Sequence, residues 1–458
     1  MFLKTQIRHN DQLCWTWSTA GFALLFALVF ISRLPFLDAG YGVNVDGWRV
    51  ARVARDFATT GVYTVSRFPG YPLQEITCAL FWRGGPWGLN GLSAFFSAIA
   101  AVAFAAIARN LGCRDWFLAG LALAATPVFF VSSVCSKDYI WALAFVLLSW
   151  LCALSKRAGL AGALLGVATG CRITSAAMIF PIALIISNAT RHEWRAIAKF
   201  VTVAASVGVV AFAPVWSRYG MDFFTFYGNH AHPDWQLIFS RATVEIWGGI
   251  GLIALGIGVG GALLDRKGSS ITNSWTIAAL ILVVAIYIAA YLRLPAQAGY
   301  LLPIAPAILL LICLFAPRRS LQLALCCLAI TSFVDFTPAG PRPGPILADR
   351  RQRLENLTNI RNLLVLTESA PGSHVFAVGA LEPQIAVLAP HLVSGRNHYV
   401  YVMDTSEIKN AFDNGRSLYY FPGIRELNYR VNGIDLAKYG GRDLRCLYGS
   451  GLAAQNAP

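Results

Sequence analysis

Residues 138–157 read Asp138-Tyr-Ile-Trp-Ala-Leu-Ala-Phe-Val-Leu-Leu-Ser-Trp-Leu-Cys-Ala-Leu-Ser155-Lys156-Arg157: an acid, an uncharged and mostly apolar run, then two adjacent cations. An apolar run of roughly 17 to 25 residues is the length that crosses a hydrocarbon core. Lipid offers no partner to an exposed peptide group, so such a run must close its own hydrogen bonds as a helix. Working outward, the same unit recurs at 18–36, 86–108, 115–134, 138–155, 158–170, 173–190, 197–214, 243–264, 272–291, 299–316 and 320–336. The 158–170 and 173–190 runs are short enough to be tilted or half-buried.

The rest of the composition agrees. Hydrophobic residues make up 56% of the chain and charged residues 13%, against about 25% charged in an ordinary soluble domain. The net charge of +14 is scattered in pairs between apolar runs, which argues for topology and against a nucleic-acid partner. The ten cysteines (Cys14, Cys78, Cys113, Cys135, Cys152, Cys171, Cys313, Cys326, Cys327 and Cys446) lie mostly in or beside apolar runs. They read as packing residues, not as a disulfide framework or a metal site. Lys4 and Arg8 precede the first run without a small-residue cleavage site, so that run is expected to be an uncleaved span.

With the N-terminus cytoplasmic, alternate loops carry Arg109 and Arg114, Lys156 and Arg157, Arg191, Arg195 and Lys199, Arg266 and Lys267, and Arg318 and Arg319. This is the basic inside that orients a plasma (inner) membrane protein. Three regions then lie outside: the first outer loop 38–85, the loop 215–242, and everything beyond about 337. Phe336-Thr-Pro-Ala-Gly-Pro-Arg-Pro-Gly344 reads as a Pro/Gly hinge. The expectation is an all-α polytopic membrane protein of about eleven transmembrane helices over 1–335. A hinge at 336–344 and a small extracytoplasmic α/β domain at 345–458 follow. The glycines clustered between Gly248 and Gly261 read as close helix packing.

The first outer loop carries the most chemistry. Val50, Val53, Ala54 and Phe57 recur at helical spacing, with Arg49, Arg52 and Arg55 on other faces, an amphipathic helix suited to the membrane interface and to lipid phosphates. Asp46 stands at its start, where it either caps the helix or meets a lipid-borne substrate. Ser66-Arg67-Phe-Pro69-Gly70-Tyr71-Pro72 then makes a rigid turn that holds Arg67 near the bilayer surface.

At these residues the chain resembles the family C (GT-C) glycosyltransferases, polytopic enzymes that use polyprenyl-phosphate-linked sugars, near the protein O-mannosyltransferases of family 39 and their bacterial relatives. Three ordered features carry the resemblance: Asp46 followed by the Pro69-Gly-Tyr-Pro72 turn; Gly170-Cys-Arg172-Ile-Thr174 ending in Phe180-Pro181; and Arg293 followed by Tyr300-Leu-Leu-Pro303. It covers roughly residues 18 to 336. A single Asp46 stands where members often have paired acids, and Arg67-Phe68 where they often have His-Pro. The resemblance implies transfer of a hexosyl or pentosyl group from a polyprenyl-phosphate-linked sugar to an acceptor on the extracytoplasmic face, with inversion. Asp46 matches the catalytic first-loop acid and becomes the general base; no cofactor is implied.

Such transfer needs a base for the acceptor hydroxyl and cations for the departing phosphate. Arg67, Lys137, Arg172 and Arg293, all at outer ends of spans, are the candidate phosphate ligands. The structural alternatives are a Lys137–Asp138 salt bridge and snorkelling of Arg172 and Arg293. Asp138 is a candidate for placing the acceptor or a metal, and Tyr71 and Tyr300 for sugar contact. In the 215–242 loop, Tyr227, His230, His232 and Trp235 are expected to touch sugar or acceptor. His-x-His with a nearby Asp234 is a weak pattern for a divalent metal. Two other function classes fit a polytopic chain: a transporter or lipid-linked-sugar flippase, and a surface-glycan polymerase or ligase. The first predicts charges near mid-membrane and the second a late catalytic loop, whereas here the charges gather at one interface and the rich loop is the first.

Overall fold

The computed structural model describes residues 19–221, 234–264, 274–337, 340–368, 374–378, 381–393, 398–400, 414, 416–420, 426–427 and 434–443. Its helices run in chain order as α1 (Thr19–Phe36), α2 (Val45–Thr60), α3 (Pro72–Phe81), α4 (Gly85–Asn110), α5 (Trp116–Ala125), α6 (Pro127–Ser133), α7 (Tyr139–Leu154), α8 (Ala158–Cys171), α9 (Ile179–Ala189) and α10 (Trp194–Ala211). There follow α11 (Ala213–Tyr219), α12 (Trp235–Ala242), α13 (Val244–Trp247), α14 (Gly249–Leu264), α15 (Ser274–Arg293), α16 (Ile304–Phe315), α17 (Arg318–Thr331), α18 (Pro345–Glu368), α19 (Glu382–Leu388) and α20 (Pro390–Val393). The chain is a multi-pass membrane protein. Among the described residues Thr19–Phe36, Pro72–Asn110, Trp194–Ala211 and Ser274–Arg293 are each long and apolar enough to cross a membrane.

Two of the runs read as single spans are bent, each for a visible reason. At α5–α6 the axis turns by 69° because Pro127 drives the preceding Thr126 out of the helical region, to φ −56° and ψ 129°. The broken turn exposes the Ala124 carbonyl, which accepts from the buried Arg33, while Arg33 Nε donates to Ser133 Oγ at 2.9 Å. At Trp235–Trp247 and Gly249–Leu264 the bend is 79°, and Gly248 sits at φ +71°, a region that L side chains rarely enter.

The glycine cluster packs as expected over half its length. A Cβ on Gly258 would lie 2.8 Å from Ile312, and one on Gly261 2.6 Å from Ser320, whereas Gly256 and Gly260 face open space. A second stripe, Gly162, Gly166 and Gly170, seats α8 on α10: Cβ atoms there would come within 2.5 Å of Phe200, 2.5 Å of Val207 and 2.6 Å of Ala211. Small residues at a four-residue repeat allow this approach, and the last of them also touches Leu73 of α3. The end of α8, and the Arg172 that follows it, is therefore fixed against two other helices.

The interfacial helix is less open to lipid than its amphipathic pattern suggests. Val50, Ala51, Val53 and Ala54 of α2 are buried. Arg52 pairs with Glu382 at 3.0 Å and Arg55 donates to the Ala386 carbonyl at 2.7 Å. These two arginines bind α19 of the C-terminal region, correcting the expectation that they serve lipid phosphates. That region holds a four-stranded sheet whose strands lie in the order His398–Val400, His374–Ala377, Ser417–Tyr420 and Arg442–Asp443, all pairs parallel. The Pro/Gly stretch before it forms an antiparallel hairpin, Val334–Thr337 against Gly340–Pro343. The eight described cysteines are free thiols.

Candidate active site

Three segments distant in sequence meet at one end of the bundle. The first is the start of α2, where Asn44 Oδ1 accepts from the Asp46 amide at 2.9 Å. Asn44 is thus the cap, and the Asp46 carboxylate is spared that role. Gly47 lets the Tyr41 carbonyl sit where a Cβ would be 2.2 Å away, which seats the first turn of α2 tightly.

The second is the turn before α3. Glu75, only 1% exposed, accepts from the Ser66 amide at 2.8 Å, the Tyr71 amide at 3.2 Å and the Tyr63 hydroxyl at 2.5 Å. One carboxylate gathers the turn, and Arg67 is held over the Tyr71 ring with its Nε 2.9 Å from the Tyr71 hydroxyl.

The third is the link between α6 and α7. Ser136 donates its amide to the Tyr41 carbonyl at 3.1 Å and its hydroxyl to Asn90 Oδ1 at 2.7 Å. Asn90 in turn donates to the Leu37 and Gly40 carbonyls at 2.9 Å each. Lys137, Asp138 and Tyr139 follow on this fixed backbone.

The charges form a chain. Arg67 Nη1 lies 3.2 Å from Asp46 Oδ2, and its Nη2 2.7 Å from Asp138 Oδ1. Asp138 Oδ2 takes Arg172 Nη1 at 2.5 Å. Asp138 is fully buried, and a buried carboxylate is tolerated when cations on both sides pair with it. The expected Lys137–Asp138 salt bridge does not form, because the two arginines occupy both oxygens of Asp138. Lys137 Nζ instead reaches Gln297 Oε1 at 3.2 Å. Three cations against two carboxylates leave this cluster one net positive charge. Burial pushes the Asp46 carboxyl up, but Arg67, Lys137, the Gln297 hydrogen bond and Arg49 outweigh it and hold the group below the usual carboxylate range. Burial would lower the Arg67 guanidinium, yet Asp46, Tyr71, Asp138 and Tyr139 raise it, so it stays charged.

Beside the cluster lies a cavity of about 250 Å³ lined by Tyr71, Arg172, Tyr287, Tyr291, Arg293 and Tyr300, among others. Arg172 is clasped between the Tyr139 and Tyr300 rings, 4.3 and 4.9 Å from their centroids. Ile173 lines both this cavity and a second, apolar one of about 260 Å³ between α8, α9 and α10.

Most of the residues singled out in the sequence therefore converge. Asp46, Arg67, Lys137, Asp138, Arg172, Tyr71 and Tyr300 stand together, and Arg293 lines the cavity from the end of α15. Asp46, Arg67, Lys137 and Asp138 are not among the residues lining that cavity. Trp235 is 77% exposed at the head of α12 and does not line it either. Tyr227, His230 and His232 lie outside the described residues. Among the described residues no three His, Cys, Asp or Glu side chains group as a metal site. Sequence reading missed Gln297, Tyr139 and Glu75. Gln297 lies between Arg293 and Tyr300, in a segment already singled out, and Glu75 is the one carboxylate of α3.

The profile of glycosyltransferase family 87 matches residues 71–334. Among solved structures, ArnT from Cupriavidus metallidurans bound to undecaprenyl phosphate is similar, with 15% identity and a TM-score of 0.53 over 81% of this chain and 84% of that one. The apo form of ArnT from the same organism has 14% identity and a TM-score of 0.55, over 87% and 92%. At these identities the likeness is one of fold. No curated protein matches the chain.

Proposed function

We propose that this chain, which belongs to glycosyltransferase family 87, moves a hexosyl or pentosyl group from a polyprenyl-phosphate-linked donor to an acceptor on the extracytoplasmic face of the plasma membrane, with inversion. The family model over residues 71–334 supports the resemblance to the polytopic family C enzymes; the O-mannosyltransferase branch was the looser likeness. A glycosyltransferase family leaves the transporter reading without ground.

The observation that carries the proposal is the placement of a buried, ionised Asp46 beside a cationic cluster that opens on an aromatic cavity. Asp46 takes the proton of the acceptor hydroxyl. As the acceptor oxygen bonds to the anomeric carbon, the bond from that carbon to the phosphate oxygen breaks, and its electron pair leaves with the lipid phosphate. The phosphate gains one negative charge in that step, so cations already in place stabilise the transition state more than the ground state. Arg172 and Arg293 line the cavity and are the donor-phosphate ligands. Arg67 and Lys137 act from behind them by setting the charge of the cluster. Tyr71 and Tyr300 offer ring faces and hydroxyls to the sugar.

A lipid donor also needs a place for its chain. The apolar cavity that shares Ile173 with the aromatic one, bounded by α8, α9 and α10, gives an isoprenoid a place beside the site. ArnT, of the same fold, binds undecaprenyl phosphate, which supports a polyprenyl phosphate here. The basic loops Arg109 to Arg114 and Lys156 to Arg157 support a cytoplasmic N-terminus, with the site on the opposite face.

The test is mass spectrometry of lipid-linked sugars and surface glycans in a deletion strain. One polyprenyl-phosphate sugar should accumulate and one glycan should lose a residue, both restored by the wild-type gene and not by Asp46→Asn. A glycan profile identical to the parent strain, or full rescue by Asp46→Asn, would overturn the proposal.

A further inference from the structure

Gln297 has no counterpart in the charge pattern of the sequence, yet its side chain makes three hydrogen bonds at the site. It sits in extended backbone just ahead of the short 3₁₀ turn Ala298–Leu301. Its Nε2 donates to Asp46 Oδ2 at 2.9 Å. Its Oε1 accepts from Lys137 Nζ at 3.2 Å and from the Tyr139 hydroxyl at 3.0 Å. Chemistry fixes the orientation of the amide: turned over, it would set NH₂ against an ammonium and a carbonyl against a carboxylate. Backbone geometry holds it there. Arg241 Nη1 donates to the Pro295 carbonyl at 2.9 Å, and the Tyr300 amide to the Gln297 carbonyl at 3.2 Å. Gly299 follows, and a Cβ there would stand 3.0 Å from the Tyr139 ring, so the absence of one lets that ring approach the amide.

Arg67 holds the same oxygen of Asp46 differently. Its Nη1 is 3.2 Å from Oδ2 but is not aligned as a hydrogen bond to it. Charge attraction of that kind does not choose a rotamer, whereas an aligned amide donor does. Among the described residues, Asp46 Oδ1 accepts no hydrogen bond.

We propose that Gln297 is the positioning residue of the base: it pins Oδ2 of Asp46 so that Oδ1 is turned to the acceptor hydroxyl, and it couples Lys137 and Tyr139 to that carboxylate. This rests on the reading of Asp46 as general base. The charged and titratable groups facing Asp46 are Arg49 from its own helix, Arg67 from the turn, Lys137, Asp138 and Tyr139 from the α6–α7 link, Arg172 behind Asp138, and Tyr300. Asp349 of α18 adds its charge near Lys137. Gln297 is the uncharged member through which Lys137 reaches the carboxylate.

Gln297→Glu is nearly isosteric and keeps an oxygen for Lys137 and Tyr139, but replaces the donor to Asp46 by a second acceptor. Gln297→Leu removes both ends. Purified protein in nanodiscs is assayed with synthetic polyprenyl-phosphate hexoses and pentoses as donors and a membrane glycan extract as acceptor, by release of polyprenyl phosphate over a range of pH. Infrared difference spectra follow the carboxyl band that Asp46→Asn abolishes. Both Gln297 variants are expected to lose about 10²-fold in kcat/KM at neutral pH, the scale of a small misplacement of a reacting group. In both, the acid limb of the profile and the Asp46 band should move to higher pH. A Gln297→Glu protein with a wild-type acid limb and band, while Asp46→Asn is inactive, would overturn the positioning role and leave the base in place. Full activity of Asp46→Asn would overturn the base, whatever the Gln297 variants do.

Discussion

Arg172 Nη1 lies 2.5 Å from Asp138 Oδ2, with the carboxylate fully buried and the arginine side chain 12% exposed. The same carboxylate holds Arg67 through its other oxygen. Asp138 is thereby the hinge of the cluster: it fixes the spacing between the arginine that attracts the base and the arginine that faces the cavity.

Replacing Asp138 by Asn keeps the shape and removes the charge that both arginines answer. A buried pair broken on one side costs about 3–5 kcal/mol, because the partner is left buried and uncompensated. Thermal unfolding of the purified protein should show the loss together with loss of transfer. An unchanged melting temperature would mean that the arginines find other partners.

The Asp46 carboxyl is held below the ordinary carboxylate range. It therefore releases its proton at lower pH in the folded chain than in the unfolded one. The stabilisation this gives is complete above the unfolded value of about 4 and fades as pH falls through the folded value. Sugar transfer should accordingly show no loss traceable to this group between pH 5 and 7 (a range on the order of the neutral side of that value), and Asp46→Asn should cost about 10²–10⁴-fold in rate, the worth of a general base. Rates at matched donor concentration check both, with protein level and insertion measured alongside.

Arg293 makes no ion pair among the described residues and lines the cavity with Arg172. Its loss should weaken use of the donor with little effect on folding. A hydrogen bond to a charged group is worth about 1.5–3 kcal/mol, so Arg293→Ala should raise the donor concentration needed by about tenfold or more. An unaltered donor dependence would remove Arg293 from the phosphate site.

The stripe of Gly162, Gly166 and Gly170 makes a prediction about packing. A Cβ at Gly166 would meet Val207 at 2.5 Å, so α8 must move away from α10 to accept Gly166→Val. Overpacking of this kind costs about 1–3 kcal/mol, and Arg172, just past the end of α8, moves with the helix. Both thermal stability and donor use should fall, whereas Gly256→Val, facing open space, should leave both near wild type.

How much was legible in advance follows from the range of each force. Long apolar runs and paired cations are local properties, so the membrane architecture and the clustering of charges at one interface could be read residue by residue. Asp46, Arg67, Arg172 and Arg293 were legible for the same reason: a charge beside an apolar run is costly wherever it ends up. The bends at Thr126 and Gly248 were half legible, since Pro127 and the glycine were visible but the partners that satisfy the broken turns were not.

Taken alone, the sequence determined that this chain is a membrane-embedded helical protein with a polar, charged site at one end of its bundle, because hydrophobic length and charge act without reference to distant residues. Only the tertiary structure decided who pairs with whom. Asp138 answers Arg67, 71 positions away, and not its neighbour Lys137; Asp46 is held by Gln297, 251 positions away. Hydrogen bonds and ion pairs act over a few ångströms and depend on direction. They are set only when helix packing, down to the glycines of α8, has brought the backbones to their final distances.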